Sequence, residues 1–458
     1  MGPDLKTPSS PTASREHPEL AALELVSLIG WQQADNVVMP EGVDPALAKA
    51  LPPEKAAPLG RIIAHGRQPI KGNIVHYSFQ VQTGPGRYDV IGVHRVVKEV
   101  RPNQPIDTHK QIFLQHGDWK NFPTMFMPGR FAPSQPDDFG FAIYLAENDV
   151  DVWGIDQAWS IVPDDVSDFG FMADWGLQRH IDDLGYALSI ARFIRLFTGS
   201  GYDQMILLGY SSGVLTGYSL LSQETTLRPF MRNVSAFIPV DVPYKTDLQV
   251  LKDTFTAEFN RTKAMLDNGE YGDLIPLKLL ADWARTDPDG DSPIFAGMTN
   301  MQTALYMAAG PIFGPIPTHY FGGIWENDMP VDLRYVTIDE CFDFMAASPM
   351  WEATKFINDY CKILAELEDV PWDDHLGRIK VPILNVSAGG GFYEMTYYTT
   401  SLLGSSDITH LMPQLLSADE ALFDFAHIDI FISQQAQNLI WEPMLRWIEA
   451  HTSVFAAN

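Results

Sequence analysis

Alternating apolar and polar residues predict the first regular structure in the chain. Residues 76–82 and 88–97 alternate in the way that half-buried strands do, and the turn sequence Thr-Gly-Pro-Gly at 83–86 joins them. We therefore expect a hairpin. Residues 35–70, by contrast, hold several prolines and show little periodicity, which predicts an irregular arm across the surface.

The start of the chain differs in composition from the rest. Residues 1–18 are rich in proline, serine and charge, which is typical of a disordered tail. From Glu19 the leucines follow helical spacing, so we expect a helix that ends near Gly30. We assign residues 1–71 to an N-terminal tail, helix and arm.

Short apolar runs alternate with segments of helical periodicity after the hairpin. This order predicts a mostly parallel central sheet with helices on both faces. The runs predicted as strands are 111–115, 150–156, 205–210, 234–241 and 381–387, and the clearest helices are 139–148, 177–197 and 442–451.

Residues 246–375 interrupt this alternation. They contain helical stretches at 248–266, 301–309 and 350–367, a proline-rich segment and the aromatic residues Tyr320, Phe321 and Trp325. An insertion of this kind is typical of a cap over an active site, and its apolar side chains favour a hydrophobic ligand. We therefore assign 72–245 and 376–458 to one α/β core and 246–375 to a mainly helical cap.

A G-x-S-x-G pattern with Ser211 at its centre connects the strand at 205–210 to a following helix. In such a turn the serine lies at a sharp strand-to-helix corner, and a side chain at either glycine would collide with the neighbouring elements. The helix N-terminus faces the negative charge that develops during attack on a carbonyl group. Ser211 is therefore a candidate nucleophile, and an ordinary glycine turn is the alternative.

Candidates for the other parts of a serine site lie at the ends of predicted strands. His116 and Gly117 form a turn after the strand at 111–115, and Asp241 ends the strand at 234–241. Ligands of open α/β sheets bind at these strand ends. His427 lies between apolar residues, beyond the last predicted strand and before the closing helix.

Composition limits the partners and the chemistry. The formal net charge of −27 disfavours nucleic acid and anionic membrane surfaces, because both are polyanions. No apolar run is long enough to span a membrane, and neither a His-Glu-x-x-His segment nor a cluster of His and Cys residues occurs, so no metal or organic cofactor is implied. Cys341 and Cys361 are too few for a disulfide framework or a zinc site; we expect a reduced pair, with one bridge as the alternative.

The first residues also bear on location. They lack the apolar region of a secretory signal, which favours the cytoplasm; secretion is the alternative if a signal has been removed. The sequence does not indicate an oligomeric state.

The sequence resembles the α/β-hydrolases, and among these the acid-lipase group. The resemblance is carried by the segments FLQHG, DVWGID and LGYSSG, by the strand that ends in PVD, and by AHIDIF, which matches the H-x-D of that group near the C-terminus. It covers residues 72–245 and 376–450 and leaves out the predicted cap. The order of serine, acid and histidine along the chain agrees with that fold.

The resemblance implies a role for each candidate. Ser211 attacks a carbonyl carbon, His427 accepts its proton and returns it to the leaving group, and a carboxylate orients the imidazole. The backbone N–H groups of Ser212 and Asp118 are expected to bind the oxyanion, with Trp119 as the alternative to Asp118.

The chain departs from the acid-lipase pattern in three places. That group carries its acid after the strand at 381–387, in a Gly-Gly-x-Asp setting, whereas this chain has Gly-Gly-Gly-Phe. Asp241 or Glu394 could replace it, and we favour Asp241 because a strand end fixes a short side chain better than a loop does. Tyr210 stands where the group has histidine, and Asp118 follows the His-Gly turn, where its carboxylate would disfavour anionic substrates.

We therefore expect a serine hydrolase that cleaves a carboxylic ester or lactone of an apolar small molecule, through a Ser-His-Asp triad and an acyl-enzyme intermediate. The alternative is a catalytically silent protein of the same fold that binds a small apolar ligand or a partner. The missing aspartate is the one feature that favours this alternative.

Overall fold

A computed structural model describes residues 61–313 and 316–452. The tail predicted for residues 1–18 and the helix predicted from Glu19 lie outside the described residues. Within them, Cys341 and Cys361 are buried and neither forms a disulfide. No helix in the described part of the chain is long and apolar enough to cross a membrane.

Antiparallel strands form one end of the main sheet. They are β1 (Arg61–Lys71), β2 (Ile74–Gln82) and β3 (Val90–Arg101), and the two-residue strand β4 (Gln104–Pro105) pairs with β3. The predicted hairpin is confirmed as β2 and β3, with Val81 opposite Ile91.

The irregular arm predicted for residues 35–70 is wrong from Arg61 onward, because these residues form β1. β1 is the edge strand of the sheet, and most of its side chains are exposed. An edge strand with little burial has no apolar face to produce an alternating pattern, and Pro69 is tolerated near its end because edge strands need fewer ladder hydrogen bonds.

Parallel strands form the rest of the sheet. In spatial order β3 is followed by β6 (Asp151–Asp156), β5 (Gln111–Gln115), β7 (Met205–Tyr210), β8 (Val234–Val240), β9 (Ile383–Val386) and β10 (Ile408–Leu411). Every residue of β5, β6 and β7 is buried, so both faces of the sheet are covered at its centre. β10 is not among the strands that the sequence predicts: the residues around His410 are polar and typical of a loop, whereas they form a short, largely exposed edge strand.

Helices connect the parallel strands, as predicted. Those before residue 246 are α1 (Phe122–Phe126), α2 (Phe141–Glu147), α3 (Leu177–Phe197) and α4 (Ser212–Glu224). Apolar residues at helical spacing account for α3, which packs against α4 and β6.

The segment between β8 and β9 forms its own helices and short strands. The helices are α5 (Gln249–Asp267), α6 (Leu277–Thr286), α7 (Asn300–Ala309), α8 (Ile338–Ala346) and α9 (Thr354–Ala365). Two antiparallel pairs join Gly272–Leu274 to Trp351–Ala353 and Gly323–Glu326 to Met329–Leu333. The single helix predicted at 350–367 is therefore a short strand followed by α9, which packs against α5 and α3.

The chain closes with three further helices, α10 (Met395–Ser401), α11 (Asp429–Ile432) and α12 (Glu442–His451). The loop before α11 carries His427 toward the carboxyl ends of β7, β8 and β9. Ser211, Asp241 and His427 therefore all lie at the carboxyl ends of the parallel strands.

Candidate active site

The G-x-S-x-G segment forms the predicted strand–turn–helix corner. β7 ends at Tyr210, α4 begins at Ser212, and Ser211 between them has φ 55° and ψ −128°. A positive φ at a non-glycine residue costs on the order of 1–2 kcal/mol, and such strain persists where the surrounding structure fixes the residue. The Ser211 N–H donates to the carbonyl oxygen of Val240 at 3.1 Å, and a β-carbon at Gly213 would lie 2.6 Å from the carbonyl oxygen of His116.

The His-Gly turn packs directly against the serine. A β-carbon at Gly117 would lie 2.4 Å from Cβ of Ser211, so only glycine fits there. His116 orients the turn, because its Nδ1 bonds the carbonyl oxygen of Gly117 at 2.7 Å and its Nε2 accepts from the N–H of Gln157 at 3.1 Å. With one nitrogen donating and the other accepting the ring is neutral, and burial lowers the pKa of His116.

The two residues predicted to bind an oxyanion, Asp118 and Ser212, lie next to Ser211, and their side chains are hydrogen-bonded to each other. Asp118 follows the packed turn, and Trp119 beside it adopts φ 66°. Ser212 is the first residue of α4, and the first N–H groups of a helix have no partner within the helix.

Asp241 lies against the imidazole of His427. Its Oδ2 is 2.8 Å from Nδ1 of His427, and its Oδ1 accepts from the backbone N–H groups of Ala388 and Phe392, each at 3.0 Å. Asp241 is fully buried. Glu394, the alternative acid, is exposed at the start of α10 and does not reach this interior position.

The glycine run after β9 forms the wall around this carboxylate. A β-carbon at Gly391 would lie 2.0 Å from Oδ2 of Asp241, so a larger residue there would displace the carboxylate. Phe392 stands where the acid-lipase pattern has aspartate, and its ring lies edge-on to that of His427, with centroids 5.9 Å apart. The loop after β9 lacks the aspartate of the acid-lipase pattern, and it instead encloses the carboxylate of Asp241 at the end of β8.

Tyr210 supports the histidine from the other side. Its ring stacks on that of His427, with centroids 4.8 Å apart, and its hydroxyl donates to the His427 carbonyl oxygen at 3.1 Å. Tyrosine at this position, where the acid-lipase group has histidine, thus contributes a hydrogen bond and a stacking contact to His427. The His427 N–H donates to the carbonyl oxygen of His319 at 3.3 Å, which fixes the loop further.

The H-x-D motif has a structural explanation. Oδ2 of Asp429 accepts from the N–H groups of Ala426, at 3.0 Å, and Gly322, at 2.9 Å. These bonds close the turn that contains His427 and connect it to the segment between β8 and β9. Burial raises the pKa of Asp429 to about 8, and the two N–H donors oppose that shift.

A small cavity of about 50 Å³ lies beside Ser211 and His427. Tyr320 and Phe344, both from the segment between β8 and β9, form part of its wall, and the Tyr320 ring packs edge-on against Trp119 at 5.0 Å. The other lining residues are Asp118, Trp119, Lys120, Tyr210 and Ile428.

Lys120 is a cavity residue that the sequence did not single out. Its ammonium nitrogen lies over the Phe344 ring at 3.4 Å, donates to the Phe344 carbonyl oxygen, and donates to Oγ of Ser348 at 2.8 Å. Burial lowers the pKa of Lys120 well below its usual range.

Glu352 and Tyr360 contact Asp118 at the site, and no sequence pattern indicated either residue. The Tyr360 hydroxyl donates to Oδ2 of Asp118 at 3.3 Å, and the carboxyl of Glu352 is hydrogen-bonded to that of Asp118. Burial raises the pKa values of both carboxyls. Neither residue belongs to a motif, and each is more than 200 positions from Asp118 along the chain, so only the folded structure brings them together.

No protein-family model matches the chain, and no curated protein matches it by sequence. Solved structures do match. A protein designated a lipase, from Sulfolobus solfataricus, has a TM-score of 0.56 and 16% identity, over 85% of this chain and 99% of that one. A soluble variant of monoglyceride lipase from Saccharomyces cerevisiae has a TM-score of 0.45 and 10% identity, over 86% and 96% of the two chains. The Cif epoxide hydrolase from Acinetobacter nosocomialis has a TM-score of 0.42 and 10% identity, over 98% and 99%. These proteins belong to the α/β-hydrolase superfamily, and this chain has the α/β-hydrolase fold.

Proposed function

We propose that the protein is a serine hydrolase that cleaves a carboxylic ester or lactone of an apolar small molecule. The observation that supports this most is the 2.8 Å contact between His427 and the buried Asp241, at a cavity that Ser211 also lines. A histidine oriented by a carboxylate beside a serine at a strained corner is the arrangement that activates a hydroxyl nucleophile.

The proposed reaction uses these groups in sequence. Oγ of Ser211 bonds to the carbonyl carbon while His427 takes its proton, and Asp241 stabilises the resulting imidazolium. The backbone N–H groups of Asp118 and Ser212 bind the oxyanion. His427 then protonates the leaving alkoxide, and a water molecule, deprotonated by His427, releases the acid from the acyl-enzyme.

We assign the segment between β8 and β9 the role of a cap. Tyr320 and Phe344 from this segment face the same cavity as Ser211, so a substrate must pass or displace them. Their rings, together with Trp119, favour an apolar acyl or alcohol group.

The choice of ester chemistry rests on the serine and its partners. The fold is shared by lipases, esterases and epoxide hydrolases, and a fold alone does not select the bond that is cleaved. The silent alternative was favoured only by the missing aspartate, and Asp241 supplies a carboxylate at His427 in its place.

Fluorophosphonate labelling tests the proposal directly. We expect intact-mass measurement to show one adduct on the wild type and none on Ser211→Ala, because only an activated serine attacks the probe. A long-chain probe and the small diisopropyl fluorophosphate should be compared, so that exclusion by the cap is separated from lack of reactivity. Folded wild-type protein that reacts with neither probe would contradict the proposal.

Charge at the cavity gives a prediction about specificity. The Asp118 and Glu352 pair carries a net negative charge when one of its protons is lost, and the lowered pKa of Lys120 weakens that residue as a counter-charge. We expect kcat/KM for an ester with a carboxylate on its acyl group to be about tenfold or more below that of an isosteric neutral ester, because like charges repel in a partly desolvated site. Steady-state kinetics with the two esters measure this ratio, and faster turnover of the anionic ester would refute the charge argument.

A further inference from the structure

Two carboxyl groups meet behind the His-Gly turn. Oδ1 of Asp118 and Oε1 of Glu352 are both enclosed, and no N–H or O–H group of another described residue donates to either oxygen. The two carboxyl groups lie within hydrogen-bonding reach of each other. Two ionised carboxylates repel at this separation, whereas a single proton between them satisfies both oxygens.

The surroundings favour retention of that proton. Glu352 is 2% exposed and lies opposite Asp273 in the pair of short strands. Arg261 neutralises part of the nearby negative charge, since it pairs with both Asp273 and Glu258 at 2.5 Å. The titratable groups that face the carboxyl pair are Asp273, Glu258 on α5, Tyr360 and Cys361 on α9, Tyr320, and His427 at the cavity.

The two groups differ in how firmly they hold the proton. Asp118 also accepts from the hydroxyls of Tyr360 and Ser212, and these bonds stabilise its ionised form. Within residues 61–313 and 316–452 no hydroxyl or N–H group donates to Glu352, and the acidic neighbours Asp273 and Glu258 disfavour its ionised form. The proton therefore belongs mainly to Glu352, which donates to Asp118.

We propose that Glu352 is a positioning residue that, as a neutral acid, holds the Asp118 side chain and thereby fixes the turn whose backbone N–H binds the oxyanion. This inference rests on the proposed function. Glu352 lies on the strand Trp351–Ala353 and Tyr360 on α9, so both bonds to Asp118 come from the segment assigned as the cap. Closure of that segment and assembly of the oxyanion site are thereby coupled.

Loss of the shared proton breaks this connection. As the pH rises, Glu352 ionises next to the Asp118 carboxylate, and the two charges push the turn away from its position. Activity should then fall on the alkaline side of the pH profile. A displacement of about 1 Å at an oxyanion donor is enough to lower kcat by about 10²-fold.

Three variants test the role of Glu352. Glu352→Gln keeps a donor to Asp118 but has no proton to lose, so we expect kcat near neutral pH within about threefold of wild type and an alkaline limb that moves up by about one pH unit or more. Glu352→Ala removes the donor and is expected to lower kcat by about 10²-fold with little change in KM. Glu340→Gln is the matched control, because Glu340 is a buried carboxylate of α8 that caps its own helix through Thr337.

An infrared difference spectrum provides a readout independent of turnover. Near pH 8 we expect wild type and Glu340→Gln to share a component of the carboxylic-acid carbonyl stretch that Glu352→Gln lacks. Asp429, whose pKa is raised to about 8, contributes a separate component to all three proteins. An alkaline limb and a carboxylic-acid band that are unchanged in Glu352→Gln would overturn the inference. If the fluorophosphonate labels wild-type Ser211 but Glu352→Gln shows neither the shifted alkaline limb nor the lost band, only the positioning role is refuted. If the wild type is not labelled and hydrolyses no ester, the proposed function is refuted, and the positioning role with it.

Discussion

Substitution of Ser211 by alanine is expected to lower kcat for ester hydrolysis by about 10⁵- to 10⁶-fold, leaving only the contribution of substrate binding and oxyanion stabilisation. The alanine side chain has no atom that can form the acyl-enzyme, so the remaining groups cannot compensate. The corner itself should survive, because alanine is close to serine in size and the positive φ at 211 is enforced by contacts of Gly213 and Val240.

Ser219→Ala is the control for this measurement. Ser219 lies on the same helix, α4, and its buried hydroxyl bonds that of Tyr244 at 3.0 Å, away from the cavity. We expect this variant to lose some stability and to retain kcat within about threefold. Comparable hydrolysis by wild type and Ser211→Ala would show that another residue is the nucleophile.

The nucleophile corner could be predicted from the sequence because its requirements are local. An apolar strand, the G-x-S-x-G turn and a helix occupy the 20 consecutive positions 205–224, and the glycines on either side of Ser211 are required by close contacts with neighbouring backbone. His427 and the His-Gly turn were identified by their positions relative to predicted strands, which depend on the order of elements rather than on side-chain contacts.

The sequence alone did not determine which carboxylate orients His427. Asp241 and Glu394 are 153 positions apart, and both follow strands of the same sheet edge. Only the structure shows that the backbone N–H groups of Ala388 and Phe392 point at a carboxylate from β8. The Gly-Gly-Gly-Phe segment, which lacks the aspartate of the acid-lipase pattern, is explained by this contact. Gly391 leaves room for the Asp241 carboxylate.

Two strands of the main sheet were missed for the same physical reason. β1 and β10 are edge strands with exposed side chains, and exposure removes the apolar alternation from which strands are predicted. Glu352 and Tyr360 were missed for a different reason. They matter because they contact Asp118, which is far away in the sequence. Hydrophobic periodicity predicts helices and strands, but it does not predict which single side chains meet in the folded protein.

Substitution of Asp241 by asparagine is expected to lower kcat by about 10⁴-fold. The amide oxygen should take the place of Oδ1, which accepts from the N–H groups of Ala388 and Phe392, so the amide NH2 faces Nδ1 of His427. This donor favours the wrong tautomer of the imidazole, and the neutral amide cannot stabilise the imidazolium. Glu394→Gln is the matched control, and it should retain kcat within about twofold because Glu394 is exposed at the start of α10. Steady-state kinetics on a soluble ester, with circular dichroism to verify folding, compare the two variants. A large loss in Glu394→Gln alone would transfer the acid role to that residue.

A glycine substitution separates the position of the Asp241 carboxylate from its chemistry. Gly391→Ala leaves Asp241 unchanged but places a β-carbon 2.0 Å from its Oδ2, so the carboxylate must move away from His427. We expect kcat to fall by about 10²-fold, whereas Gly377→Ala, where the nearest atom is 3.8 Å from the added carbon, should have no such effect. Combining Gly391→Ala with Asp241→Asn should cost little beyond Asp241→Asn alone, because a displaced asparagine has no orienting role left to lose. Fully additive losses would mean that Gly391 acts on the reaction by some route other than Asp241.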